Sequence, residues 1–236
     1  MPSHVTVIVS NDAFRQILSS ALEAYACPDG KRHKGEGHIP LETYGSIWGY
    51  STIKVDGTYF HVVVADPDTS ADRRPGSVQA KVASSRIKAG FYTRYNPELA
   101  YLGDFHSHPY SPGESDLMTA QHVEKKRLFR FSGAHGQKNG DFASVKSLKK
   151  QGLMYRVGLV VTVFKMPNCV KEPLHDYLDW KSAVRFTHNG PDGEGKKTSY
   201  RCWLKAYAFL GDDEKPTPDK DLRVHCGALG MVPWVY

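Results

Sequence analysis

The chain has 236 residues, 40% of them hydrophobic and 24% charged, which suits one globular domain with a sizeable core and excludes a low-complexity class. No apolar run is long enough to span a bilayer, and Met1-Pro2-Ser3-His4 lacks the regions of a secretory signal, so a soluble, cytoplasmic protein with no membrane partner is expected. The net charge of +6 is localised: residues 121–156 hold nine basic against two acidic side chains, a net +7, and the rest of the chain carries −1. Cys27, Cys169, Cys202 and Cys226 form no CxxC pair, which argues against a zinc ribbon and for reduced thiols.

In chain order, residues 5–9 read as a strand. Asn11 or Asp12 can cap a helix through Phe14, Ile17, Leu18, Ala21, Leu22 and Tyr25. Residues 27–38 are a polar loop, and residues 39–51 contain a strand that carries Glu42. Asp56-Gly57 between apolar, β-branched runs is a hairpin signal. A loop over 66–76, a helix over 78–89 and a polar, aromatic connection over 91–97 lead to a strand over 99–105. Ser115 or Asp116 can cap a helix through Leu117, Met118, Ala120 and Gln121. Residues 132–152, basic and glycine-containing, read as an insertion or loop, and 155–164 as a buried strand. A helix is predicted over 176–185, a turn over 189–197, and a strand over 199–210 with Trp203, Tyr207 and Phe209 on one face. The apolar tail from Leu222 is expected to fold back on the domain.

The chemistry concentrates in His106-Ser107-His108-Pro109, followed by Asp116. In a strand, positions i and i+2 share a face, so both imidazoles project the same way and Ser107 projects the other way. A following loop can return Asp116 as a third donor. Three N/O ligands with an open fourth position describe a catalytic zinc site, with one ion per chain. Upstream, Glu42-Thr43-Tyr44-Gly45-Ser46-Ile47-Trp48-Gly49 places a carboxylate ahead of two close-packing glycines.

Taken together, Glu42 before a glycine-containing strand, then Gly103-Asp104-Phe105-His106-Ser107-His108-Pro109, then Asp116, resembles the JAMM/MPN metalloprotease family over residues 4–118. The resemblance implies an α/β fold: a single MPN-like (cytidine-deaminase-like) domain over 1–236, a mixed sheet flanked by helices, with 121–156 as a basic insertion or extended helix-loop segment. It implies zinc held by His106, His108 and Asp116, with Glu42 as the proton-shuttling residue. A hydroxyl near the metal would stabilise the oxyanion, and Ser115 is the candidate, off the family's spacing. The loop to Asp116 is three positions shorter than the family's, Gly113 stands where the family has serine, and Glu114 and Ser111 are the neighbouring alternatives. The implied reaction is hydrolysis of a peptide or isopeptide bond, releasing or maturing a ubiquitin-like protein from its precursor or conjugate.

Two other readings compete. A catalytically silent MPN-type scaffold would need none of these ligands. Alternatively the cations of 121–156, interleaved with Phe129, Phe131 and Phe142, can contact phosphates and stack bases, or dock an acidic protein; the plain alternative is a solvated helix face.

Overall fold

The computed structural model describes residues 4–27, 40–74, 77–79, 81–112, 119–133, 140–150, 152–171, 175–192, 195–211 and 213–230. A β-branched run buried at Val5, Thr6, Val7 and Val9 forms β1 (His4–Val9), and helical spacing of Phe14, Ile17, Ala21 and Tyr25 produces α1 (Asn11–Ala26). Its cap is Ser10, whose hydroxyl accepts from the Ala13 N–H at 3.1 Å, in place of the expected Asn11 or Asp12. β2 (Tyr44–Lys54) and β3 (Gly57–Pro67) form the expected hairpin, with its turn at Val55-Asp56, one residue ahead of the predicted Asp56-Gly57, because Gly57 pairs with Lys54.

Then follow β4 (Asp72–Arg74), β5 (Ser77–Gln79), α2 (Val82–Tyr95) and β6 (Ala100–Tyr110). The helix predicted over 78–89 is therefore displaced. Ser77–Gln79 pairs with Asp72–Arg74, and the helix runs on through the aromatic stretch because Tyr92 stacks on Trp48 with centroids 4.2 Å apart. It ends at Asn96, which has left the helical region (φ −139°, ψ 60°) ahead of Pro97, and whose N–H still donates to the Tyr92 carbonyl.

Between β6 and β7 (Val157–Lys165) lie α3 (Ala120–Lys125) and α4 (Asp141–Lys150). Since β6 and β7 are parallel neighbours, the basic segment is their crossover connection. The loop expected over 132–152 is half helix, and α4 buries Val145 and Leu148. Phe129 and Phe131 are buried and the half-buried Phe142 packs edge-on to Phe131, so these rings pack into the core beneath the crossover.

The helix expected over 176–185 is instead a hairpin of β8 (His175–Leu178) and β9 (Ala183–Pro191), with Leu178 paired to Ala183. Pairing with β10 (Lys197–Ala208) buries Ala183, Val184 and Phe186, which a helix here would leave unmatched. β11 (Leu222–Cys226) folds back beside β1. The result is an α/β architecture around a nine-stranded mixed sheet, ordered β11-β1-β3-β2-β6-β7-β10-β9-β8.

Helix α1 covers one face, packing Phe14, Ile17 and Tyr25 onto Leu159, Val161 and Val163 of β7. The crossover covers the other, where Val160 and Phe164 meet Phe131, Leu148, Phe129 and Val123. No helix among the described residues is long and apolar enough to cross a membrane.

Candidate metal centre

The site is built on β6, at the middle of the sheet. Its strand carries a bulge: Ile47 pairs with Gly103 and Trp48 with Tyr101, leaving Leu102 over. Gly103 has φ +148°, and a Cβ there would lie 2.0 Å from the Val157 carbonyl oxygen, so only glycine fits. The bulge has a consequence for the site. Leu102 and Phe105 both enter the α1-side core, so strict alternation is broken between them. Asp104, His106 and His108 are thereby turned to the crossover side.

There the two imidazoles meet Asp141, the first residue of α4. His106 Nε2 and His108 Nε2 are 3.2 Å apart, and Asp141 Oδ2 lies 3.2 Å from the first and 3.4 Å from the second. Tetrahedral coordination at about 2.0–2.1 Å sets neighbouring ligand atoms about 3.3 Å apart, so the spacing fits an ion of that kind. The three residues form a buried group able to hold a metal ion. Both histidines are almost fully enclosed, at 6% and 7% exposure.

Neighbouring groups orient the donors. His108 Nδ1 donates to the Leu128 carbonyl at 3.2 Å, which leaves Nε2 as the bare donor atom. The Ser132 N–H donates to Asp141 Oδ2 at 2.5 Å, and the Asp141 N–H returns a bond to the Ser132 carbonyl at 3.2 Å. Phe131 lies against the His106 ring at 5.6 Å between centroids and supplies an apolar wall.

The electrostatics follow. Burial disfavours a charged His106, but the Asp141 carboxylate, aided by Asp104 and Glu42, outweighs it and lifts the imidazole to about 9. Burial likewise pushes Asp141 up, yet the two imidazoles prevail and hold its carboxyl well below the usual carboxylate range. Asp104, beneath His106 on the same strand, is raised to about 6 by burial, against His106 and a 2.7 Å bond from the Tyr155 hydroxyl.

Glu42 lies two residues before β2 and is buried at 9% exposure. Burial raises its carboxyl above the ordinary value, and His108 and His106 pull it back. Its neighbour Thr43 is pinned to β6 twice. The Thr43 N–H donates to Ser107 Oγ at 2.8 Å, and the Ser107 N–H donates to the Thr43 carbonyl at 3.0 Å. Ser107 thus points away from the imidazoles, as period two requires, and its task is to dock the Glu42 segment. Gly45 permits the close approach: a Cβ there would sit 2.3 Å from the Phe105 ring.

Asp116, Ser115 and Glu114, expected as ligand, hydroxyl and substitute carboxylate, lie outside the described residues. Ser111 is within them, its hydroxyl 3.0 Å from the Tyr25 hydroxyl of α1. The sequence reading missed Asp141. Its signal was an acid at the head of an amphipathic run, with Phe142, Val145 and Leu148 at helical spacing and Lys149 and Lys150 at the end. No protein-family model matches this chain, and no curated protein matches it either.

Proposed function

We propose that this chain is a zinc-dependent hydrolase of peptide or isopeptide bonds, of the JAMM/MPN type, acting to release or mature a ubiquitin-like protein. The observation that carries the reading is the buried His106–His108–Asp141 donor triangle with the buried carboxyl of Glu42 beside it. A zinc ion held by these donors would polarise a scissile carbonyl and lower the pKa of water toward neutrality.

The protein's own groups supply the rest. Glu42, raised by burial and left outside the donor triangle, accepts the proton of the attacking water and passes it to the leaving amine. Ser107 holds the Glu42 segment in reach through Thr43. Leu128 and Ser132 fix the ring of His108 and the carboxylate of Asp141. The family resemblance assigns the third ligand to Asp116, with Ser115 or Ser111 as candidate for the oxyanion hydroxyl, and the geometry supports Asp141 as a donor. Separate substitution of the two aspartates decides between them.

The first test is elemental analysis of the purified chain beside a His106→Ala/His108→Ala double variant. About one zinc per chain, lost in the variant, is expected of a single site. Cleavage of a ubiquitin-like protein carrying a C-terminal fluorogenic amide, abolished by a chelator and restored by zinc, completes it. A wild-type chain that takes up no zinc on reconstitution would overturn the reading and leave the silent scaffold in its place.

A further inference from the structure

A second group of charges, gathered about one buried lysine, lies on the same face of the sheet as the histidines. Lys205, on β10, is 0% exposed. It donates to Ser182 Oγ at 2.6 Å and also to Asp219. Arg130 Nη2 reaches Asp179 at 2.7 Å and Asp219 at 3.1 Å. Two cations and two carboxylates therefore close a neutral cluster. Its place follows from strand register: Lys205 stands opposite Val160, and Val160 stands opposite His106.

The cluster touches the metal centre through one strip of backbone, residues 128–132. Leu128 offers its carbonyl to His108 Nδ1. Arg130 sends its side chain into the cluster. The Phe131 N–H donates to the Tyr207 hydroxyl at 2.8 Å, and its ring stacks on Tyr207 with centroids 3.9 Å apart. Ser132 holds Asp141 by two bonds. The strip thus faces metal donors at both ends and is tied to the sheet in its middle.

The anchor is itself over-determined. Asp179, Trp180 and Lys181 adopt φ of 48°, 58° and 80°, three successive left-handed positions without a glycine. Such backbone persists only where its surroundings hold it, and it collects at functional sites. Here the hold includes the Asp179 carboxylate on Arg130.

We propose that Arg130 is a positioning residue of the metal centre. Clamped by Asp179 and Asp219 beside Lys205, it sets the strip 128–132 so that Leu128 and Ser132 aim His108 and Asp141 at one ion. This rests on the metal-centre reading above. Groups that orient ligands change metal affinity by about 10–100-fold.

The test uses Co²⁺ as probe on the full, chelator-stripped chain, with affinity from competition and site geometry from the visible d–d absorption. Arg130→Gln should weaken Co²⁺ about 10–100-fold and change the band shape, and Arg130→Lys should restore part of both. Ile17→Ala, buried under α1 on the opposite face, should lower the melting temperature and leave affinity and band unchanged. Wild-type affinity and band in Arg130→Gln overturn the proposal, as does an equal change in Ile17→Ala. If Arg130→Gln does not fold, Asp219→Asn decides: weaker Co²⁺ supports the proposal, wild-type affinity overturns it. Absence of Co²⁺ binding in the wild type would instead overturn the metal-centre reading itself.

Discussion

Asp141→Asn removes a charge and almost no volume, and two separate magnitudes follow. Complete structural zinc sites bind with roughly 10–16 kcal/mol over four ligands, or about 3–4 kcal/mol per ligand. Loss of Asp141 should therefore weaken zinc by about 10²–10³-fold. The second effect concerns the metal-free protein. His106 is lifted from 6.5 to about 9, chiefly by Asp141 against its own burial, which corresponds to about 3 kcal/mol. A raised histidine contributes stability that is fully present below its unfolded value and is lost as pH rises through the folded value. In chelator-treated samples, Asp141→Asn should cost about 3 kcal/mol near pH 6 and much less above about pH 9.5. Urea unfolding at both pH values and zinc competition measure the two effects. Wild-type zinc affinity in Asp141→Asn, with loss in Asp116→Asn, would refute the assignment of Asp141. A stability cost independent of pH would refute its pairing with His106.

Glu42→Gln should retain zinc and lose about 10²–10⁴-fold in turnover, the worth of a positioned general base; loss of bound zinc in that variant would make Glu42 a ligand. Ser107→Ala leaves the buried Thr43 N–H without its acceptor and should cost about 1–3 kcal/mol by denaturant melts. It should also lower turnover more than zinc content, and unchanged turnover would separate Ser107 from the placing of Glu42. Gly45→Ala drives a methyl into the Phe105 ring and should destabilise by about 1–3 kcal/mol; a neutral result would show that β2 and β6 can part there. Zinc binding near pH 7 should release about one proton, because His106 is protonated below about 9 in the metal-free chain. Calorimetry in buffers of different ionisation enthalpy reads this number, which should be smaller in Asp141→Asn, where His106 loses the carboxylate that keeps it charged.

Much of this was legible in the chain because it is local. Period two alone sets His106 and His108 on one face and Ser107 on the other. The apolar run of β7, buried from Val157 to Phe164, and the hairpin signalled by Asp56-Gly57 are equally short-range signals. The close-packing role of Gly45 and Gly49 was also readable, and a Cβ at Gly49 would meet the His61 carbonyl at 1.8 Å. The misplaced helix over 176–185 shows the limit. Its residues form a β-hairpin because β10 offers an edge and a core to bury Val184 and Phe186, and the pattern within 176–185 does not contain that pairing.

What only the tertiary structure decided are the contacts made across long separations. Which face of the sheet receives the histidines depends on the bulge at Gly103, whose need arises from the neighbouring strand at Val157. Asp141 reaches the imidazoles because the parallel pairing of β6 and β7 forces the chain over that face and brings the head of α4 back above it. Arg130, Asp179, Lys205 and Asp219 come from four separate segments, and their pairing is intelligible only once the fold buries Lys205 among them. Side-chain periodicity is written by the covalent chain and needs no partner, whereas the third donor of a metal site and the partner of a buried charge are set by the path the backbone takes between them.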